Sequence, residues 1–264
     1  MARAGEVISL AGFDFLRPGM VGVVSTIGKN GLKGWWETPD KRGDDTARVM
    51  QDGDFPAPRT FGPRMITISG DVSCTSRDAL FEFRDRLAGL PHLGSGELSV
   101  TGHGVSQTAT VEQVGGLKWS ERNPRAASWS MDLKAPDPRK YGELRVTAWT
   151  TASRTSPVSV QVSHEGNYPA APVIEVKGSM TSGFTAWGTG EDSYRSLETV
   201  NAGELFEVDF GSGLLRKDGA VVFGQTGYTN LAKVMPGVSR AANVIPATDG
   251  GVGQYRVLVR DTYI

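Results

Sequence analysis

The residue types that do chemistry are few in this 264-residue chain and poorly spaced for it: three histidines (His92, His103, His164), one cysteine (Cys74) and a handful of neighbouring carboxylates. A protease-type zinc site sets two histidines four residues apart on one helix face. His164-Glu165 is not continued that way, and His92 and His103 lie far from it. Cys74 is a nucleophile only beside a base, and a single cysteine at a strand end reads instead as a small buried hydrophobe. Asp52/Asp54 and Glu207/Asp209 have the closeness that glycoside hydrolysis or calcium ligation draws on, but the first pair falls in a turn and the second points outward along a strand. Gly22 to Gly28-Lys29 imitates a phosphate-binding loop one residue too long, with Asn30 where Ser or Thr must reach magnesium. Gly188-Thr189-Gly190 lacks the third glycine of a dinucleotide loop, and Arg42-Gly43-Asp44 matches a cell-adhesion tripeptide by three letters only. The expectation is no catalytic residue, no metal ligand and no cofactor. The binding candidates are Trp187 and Tyr194, in the Gly/Ser-rich stretch 182–196, where a flat exposed ring could stack on a sugar or a protein partner; core packing is the competing reading for each.

The elements that would position these residues read as strands. Val21 to Ile27 and Leu32 to Trp36 flank Gly28-Lys29-Asn30-Gly31, where Asn-Gly suits a type I′ hairpin turn, and a charged, solvated loop follows from Glu37 to Asp45. Met65 to Gly70, Glu97 to Thr101, Ala109 to Val114 and Ala127 to Leu133 are further strands. One helix is expected: Ser76 as N-cap, Asp78 in the first turn, Leu80, Phe83 and Leu87 on one face, and a stop at Gly89 and Pro91. Pro136 and Pro138 hold Ala135 to Gly142 extended and remove two backbone donors, which marks a boundary between residues 1–141 and 142–264. Beyond it, Val158/Val160/Val162, Phe206/Val208/Phe210 and Tyr255/Val257/Val259 alternate with polar residues, and Asp218-Gly219 and Asp249-Gly250 supply hairpin turns.

Composition agrees with an all-β chain. Gly is abundant at 34 residues with Pro at 14, and β-branched residues outnumber Ala plus Leu. With 28 basic and 29 acidic side chains the net charge is −1, which names neither nucleic acid nor an anionic membrane as partner. One cysteine excludes an intrachain disulfide, and no apolar run of about 18 residues suggests a membrane span or an export signal.

Several segments in order resemble the distal tail proteins (Dit) of long non-contractile-tailed phages, especially those of Gram-positive and actinobacterial hosts. They are Gly34-Trp35-Trp36, Phe61-Gly62-Pro63-Arg64, the single helix, Ala135-Pro136-Asp137-Pro138-Arg139-Lys140-Tyr141, Gly166-Asn167-Tyr168-Pro169, Gly203-Glu204-Leu205-Phe206 with the Lys217-Asp218-Gly219 turn, and Met235-Pro236-Gly237. The resemblance implies an N-terminal β-sandwich with one helix that forms a six-fold ring, and a C-terminal galectin-like β-sandwich. It further implies a structural protein made in the bacterial cytoplasm and placed at the virion tail tip. There it would join the tail tube protein to a tail-tip hub or tail-associated protein, with tape measure or receptor-binding (fibre) proteins as further partners. DNA would pass through the ring without sequence-specific contact, and no membrane insertion is expected. The alternative is a carbohydrate-binding β-sandwich recognising host cell-wall glycans through the Trp187/Tyr194 region. The roughly 120 residues of the second half leave little room for the insertions or arms that would carry a receptor-binding protein.

Overall fold

The computed structural model describes residues 6–44, 46–55, 57, 59–90, 94–102, 104–187 and 193–264; His92, His103 and Gly188-Thr189-Gly190 lie outside the described residues. Among the described residues the chain is all-β with one α-helix. It divides into two compact units, Met1–Lys140 with Ile264, and Tyr141–Tyr263.

In the first unit the purest alternation sits at the centre. Strand Arg64–Cys74 pairs along ten residues with Ala126–Ala135, setting Ile66 opposite Leu133 and Ile68 opposite Met131. All four of those side chains are buried. Lys118–Asn123 and Val105–Gln113 share the other edge of the 126–135 strand. Ser95–Gly102 pairs with 105–113, and Val7–Leu10 with 95–102. The helix Arg77–Gly89 covers the apolar face, as its sequence predicts. Ser76 is in an extended conformation and its Oγ accepts from the Ala79 N–H at 3.2 Å, satisfying one of the orphan donors of the first turn. Leu80, Phe83 and Leu87 are fully buried, Phe83 against Phe13 and Trp129 at ring distances of 6.0 and 6.5 Å.

The predicted hairpin at Asn30-Gly31 does not form. Val23–Lys33 is one strand running antiparallel to 64–74, and neither Asn30 nor Gly31 takes the positive φ that a type I′ turn requires. Ile27 faces Gly70 and Leu32 faces Ile68, so five residues advance against two. The 64–74 strand is a continuous partner, and pairing to it wins over local turn propensity, so the surplus residues bulge out. The Walker-like stretch is thereby part of a strand. The chain reverses later: the loop expected from Glu37 is the root of a two-stranded ribbon, with Lys41–Arg42 paired to Thr60–Phe61 and Thr46–Ala47 to Asp54–Phe55.

The second unit faces two sheets across one core. The first contains Thr150–Ala152, Val252–Tyr263, Val173–Ser179, Leu205–Asp209, Leu214–Lys217 and Ala220–Val222 in that order of pairing. The second contains Thr226–Thr229, Tyr194–Ser196, Phe184–Ala186 and Val244–Pro246. Phe206, Val208, Phe210, Tyr255, Val257 and Val259 point inward as their alternation predicts, and Phe184 meets Phe206 edge-on at 6.4 Å across the layers. Asp218-Gly219, at φ 48° and 84°, is the predicted hairpin turn. Asp249-Gly250 turns the chain but closes no hairpin, because the strands it separates pair elsewhere. Val158 lies outside the short strand Val160–Val162 and is exposed, so it does not share the burial of Val162.

The helix seam carries a testable cost. Phe83→Ala is expected to destabilise the chain by about 3–5 kcal/mol in urea unfolding followed by near-UV circular dichroism. Arg86→Ala, whose ion pair with Glu82 is surface-exposed, should change stability by less than about 0.5 kcal/mol.

Candidate functional site

The chemistry-bearing side chains that the fold does bring together are two cations in the core of the first unit. Arg64 opens the central strand just after Phe61-Gly62-Pro63 and is 1% exposed. Its Nη1 donates to the carbonyls of Gly34 at 2.7 Å, Trp35 at 3.3 Å and Glu37 at 2.5 Å, and its Nε to that of Pro138 at 3.0 Å. Lys140, also buried, donates to the Trp35 carbonyl at 3.0 Å and lies 5.5 and 5.7 Å from the rings of Trp35 and Trp36. The backbone reaches this arrangement because Gly34, at φ 79°, passes so close to the 64–74 strand that a Cβ there would lie 1.8 Å from the Met65 carbonyl oxygen. Burial holds both cations below their ordinary pKa values. It pushes Lys140 down to about 8, with the charge of Arg64 acting in the same direction and Glu37 against it. These hydrogen bonds all go to backbone carbonyls, so the pair works as a clamp on two chain segments, a role sequence reading missed because Arg and Lys types predict exposure.

The residues singled out from sequence do not assemble into a site. Trp187 and Tyr194 are not exposed rings: Trp187 is 6% exposed and Tyr194 fully buried. Both lie against Phe210, at 5.8 and 6.2 Å, and the Tyr194 hydroxyl is 2.9 Å from Thr226 Oγ1. Trp187 stands at φ 71° with the Arg240 guanidinium over its ring at 5.6 Å. Inward alternation in the 194–196 strand and packing on Phe210 outweigh the Gly/Ser-rich context, which had suggested a surface loop. Cys74 is the small buried residue its sequence suggests, and burial pushes its thiol pKa up. His164 is structural: the Gly166 N–H donates to Nδ1 at 3.0 Å, so Nε2 carries the hydrogen and donates to the Val234 carbonyl at 3.0 Å. Asp209 caps its own turn, accepting from the Gly211 N–H at 2.8 Å and the Ser212 hydroxyl at 2.6 Å. Asp52, Asp54 and Arg42 are exposed on the ribbon. Among the described residues no group of three or more His, Cys, Asp or Glu side chains is placed to hold a metal ion.

Two clefts remain. In the second unit, a groove of about 630 Å³ lies over the outward row Thr151, Gln254, Lys177 and Leu205. Trp149 forms one wall, with the Lys177 ammonium 4.0 Å and the Arg256 guanidinium 4.7 Å from its ring centre. Beside the groove, Lys217 and the Asn201 backbone and side chain hold Glu204 down at about 2. In the first unit, a pocket of about 190 Å³ opens between the 28–31 bulge and the paired strands 7–10 and 95–102, lined by Ile8, Ile27, Leu32 and Val100 with Glu6 and Lys29 at its polar side.

No family model and no curated relative matches the sequence. Solved structures do match. The fold is that of the siphophage distal tail proteins: the Dit protein of phage SPP1 (gp 19.1), described as a paradigm of the hub adsorption apparatus in phages infecting Gram-positive hosts, superposes with a TM-score of 0.73 at 12% identity. The match covers 98% of this chain and 99% of that one. A chain of the phage P2 baseplate in its calcium-activated conformation also aligns, with TM-score 0.49 and 6% identity over 96% of this chain and 97% of that one.

The clamp has a pH signature. A lysine whose folded pKa lies near 8, below its ordinary 10.5, is charged in the unfolded chain and neutral in the folded one between those values. Folding then releases a proton, so stability should rise with pH from about 8 to 10.5 and level off below about 8. The difference in urea midpoint between wild type and Lys140→Met, scanned over pH 7–11, is expected to show this rise; the Cys74 thiol titrates in both chains and cancels in the difference. A pH-independent difference would mean that Lys140 keeps its ordinary affinity for the proton.

Proposed function

We propose that this chain is a distal tail protein of a long-tailed phage, a structural component acting by assembly and not by catalysis. The observation that carries the reading is the full-length correspondence of fold with the SPP1 Dit protein, end to end in both chains. Six copies form a ring at the virion tail tip through the first unit. The ring joins the tail tube protein on one face to a tail-tip hub, tail-associated or fibre protein on the other, and DNA passes through it. The second unit is a galectin-like sandwich, and the domain boundary falls at Tyr141.

The surface supports an assembling role. Several large apolar side chains stand in solvent on the isolated chain, among them Val21 at 97%, Met50 at 98% and Phe223 at 82% exposure. Adjacent exposed apolar residues such as Val49 and Met50 are candidates for cover by a partner. A net charge of −1 suits a conduit for DNA, because a nearly neutral wall releases few counterions and does not hold the duplex. The glycan-binding reading loses its residues, since the two rings it relies on are packed against Phe210.

Light scattering on the purified chain, with negative-stain imaging, should give a hexamer mass and a six-fold ring. A monomer at every concentration, alone and with the tail tube protein added, would overturn the ring. Limited proteolysis is expected to cut between about Tyr141 and Pro157 and release two resistant fragments; one undivided resistant core would remove the domain boundary.

A further inference from the structure

The aromatic ring that the second unit leaves open is Trp149. It is half-buried at one wall of the groove of about 630 Å³, on the outward side of the sheet formed by strands 150–152, 252–263 and 173–179. Two cations hold its plane. The Lys177 ammonium lies 4.0 Å from the ring centre within the groove, and the Arg256 guanidinium, which does not line the groove, lies at 4.7 Å. Arg256 is itself tied to Glu175 on the neighbouring strand, so the ring is positioned by an ion pair and not by its own loop. The indole N–H has no hydrogen-bond partner among the described residues and keeps contact with water, so it is free to donate to a ligand.

Beside the ring stand polar groups with nothing to bond inside the chain. Thr151 and Gln254 face each other in the strand register, both are exposed, and neither side chain makes a hydrogen bond among the described residues. A hydroxyl and a carboxamide can each donate and accept. The Glu204 carboxylate is fixed by Lys217 at 2.7 Å and by the Asn201 N–H at 2.9 Å, a preset acceptor. The two charged residues that line the groove, Lys177 and Glu204, are of opposite sign, so no net charge selects an ion. A flat ring flanked by groups that both donate and accept, without net charge, matches a neutral sugar: the C–H face of a pyranose stacks on an aromatic ring while its hydroxyls need partners of both kinds. The volume falls within the roughly 300–1,000 Å³ of small-molecule sites and is about four times the roughly 150 Å³ that takes a benzene ring, room for more than one sugar ring.

We propose that this groove binds a neutral oligosaccharide, with one pyranose lying along Trp149 and its hydroxyls bonded to Gln254, Thr151 and Lys177. The Lys177 ammonium, on a flexible four-carbon stem, lifts off the ring to donate to a hydroxyl when the sugar arrives. The site belongs to the second unit alone, goes beyond the structural role and does not depend on the ring. It uses none of the residues that the sequence singled out for stacking, since Trp187 and Tyr194 are packed inside the core that lies on the other side of this sheet.

The test presents the full chain to an array of neutral and acidic oligosaccharides and then titrates those it retains. A neutral oligosaccharide should bind saturably and change the tryptophan fluorescence, and Trp149→Phe should remove most of that change. Gln254→Ala, at an exposed position without partners, should leave the melting temperature unchanged and weaken binding by about tenfold in calorimetry. That variant reports on the site even where Trp149→Phe fails to fold. Retention of acidic sugars only, or of no neutral sugar on the array, would overturn the site. So would a neutral sugar whose affinity is unaltered in Gln254→Ala and whose fluorescence response survives in Trp149→Phe. A chain that forms the ring and retains no neutral sugar loses this site and keeps the structural reading; a monomer whose sugar response depends on Trp149 and Gln254 keeps the site and loses the ring.

Discussion

A guanidinium taken out of water must find acceptors or cost several kcal/mol, and Arg64 meets that constraint at Nη1 and Nε with the carbonyls of residues 34, 35, 37 and 138, while its buried Nη2 has no partner among the described residues. The requirement couples regions distant in sequence. Gly34 to Glu37 is the stretch from which the ribbon rises, and Pro138 lies where the first unit hands the chain on. Both are held to the first residue of the central strand, so the geometry of the unit's outer parts follows from its innermost strand. Arginine suits this position where lysine would not, because several donors in one rigid plane can serve carbonyls from different directions. Lys140 adds one further bond to the Trp35 carbonyl, and the proximity of the two charges is part of why its proton is held weakly.

The second unit handles its charges differently. Its ion pairs include bonds between strands of one sheet and bonds that tie a loop to a strand. Arg145 donates to both oxygens of Asp261 at 2.8 and 3.2 Å, while the Glu165 N–H donates to the same carboxylate at 2.9 Å. Burial alone would raise the Asp261 pKa, and these partners reverse that and hold it low. Arg256 bonds Glu175 across the neighbouring strand and also lies on Trp149.

What could be read from sequence and what could not divide along a physical line. Strict alternation showed the Phe206/Val208/Phe210 and Tyr255/Val257/Val259 strands because inward and outward environments differ residue by residue, and Ser76 with Leu80, Phe83 and Leu87 showed the helix for the same local reason. Asn30-Gly31 misled because its turn propensity is local while the pairing that overrides it comes from residues 64–74, some forty positions on. Trp187 and Tyr194 misled in the opposite way: a Gly/Ser-rich neighbourhood suggests a surface, but both rings pack on Phe210, just past the end of the 205–209 strand. Arg64 and Lys140 were visible only as members of the segments that resemble the distal tail proteins. Nothing in a residue's type reveals that its charge will be buried against carbonyls 27 to 105 positions away.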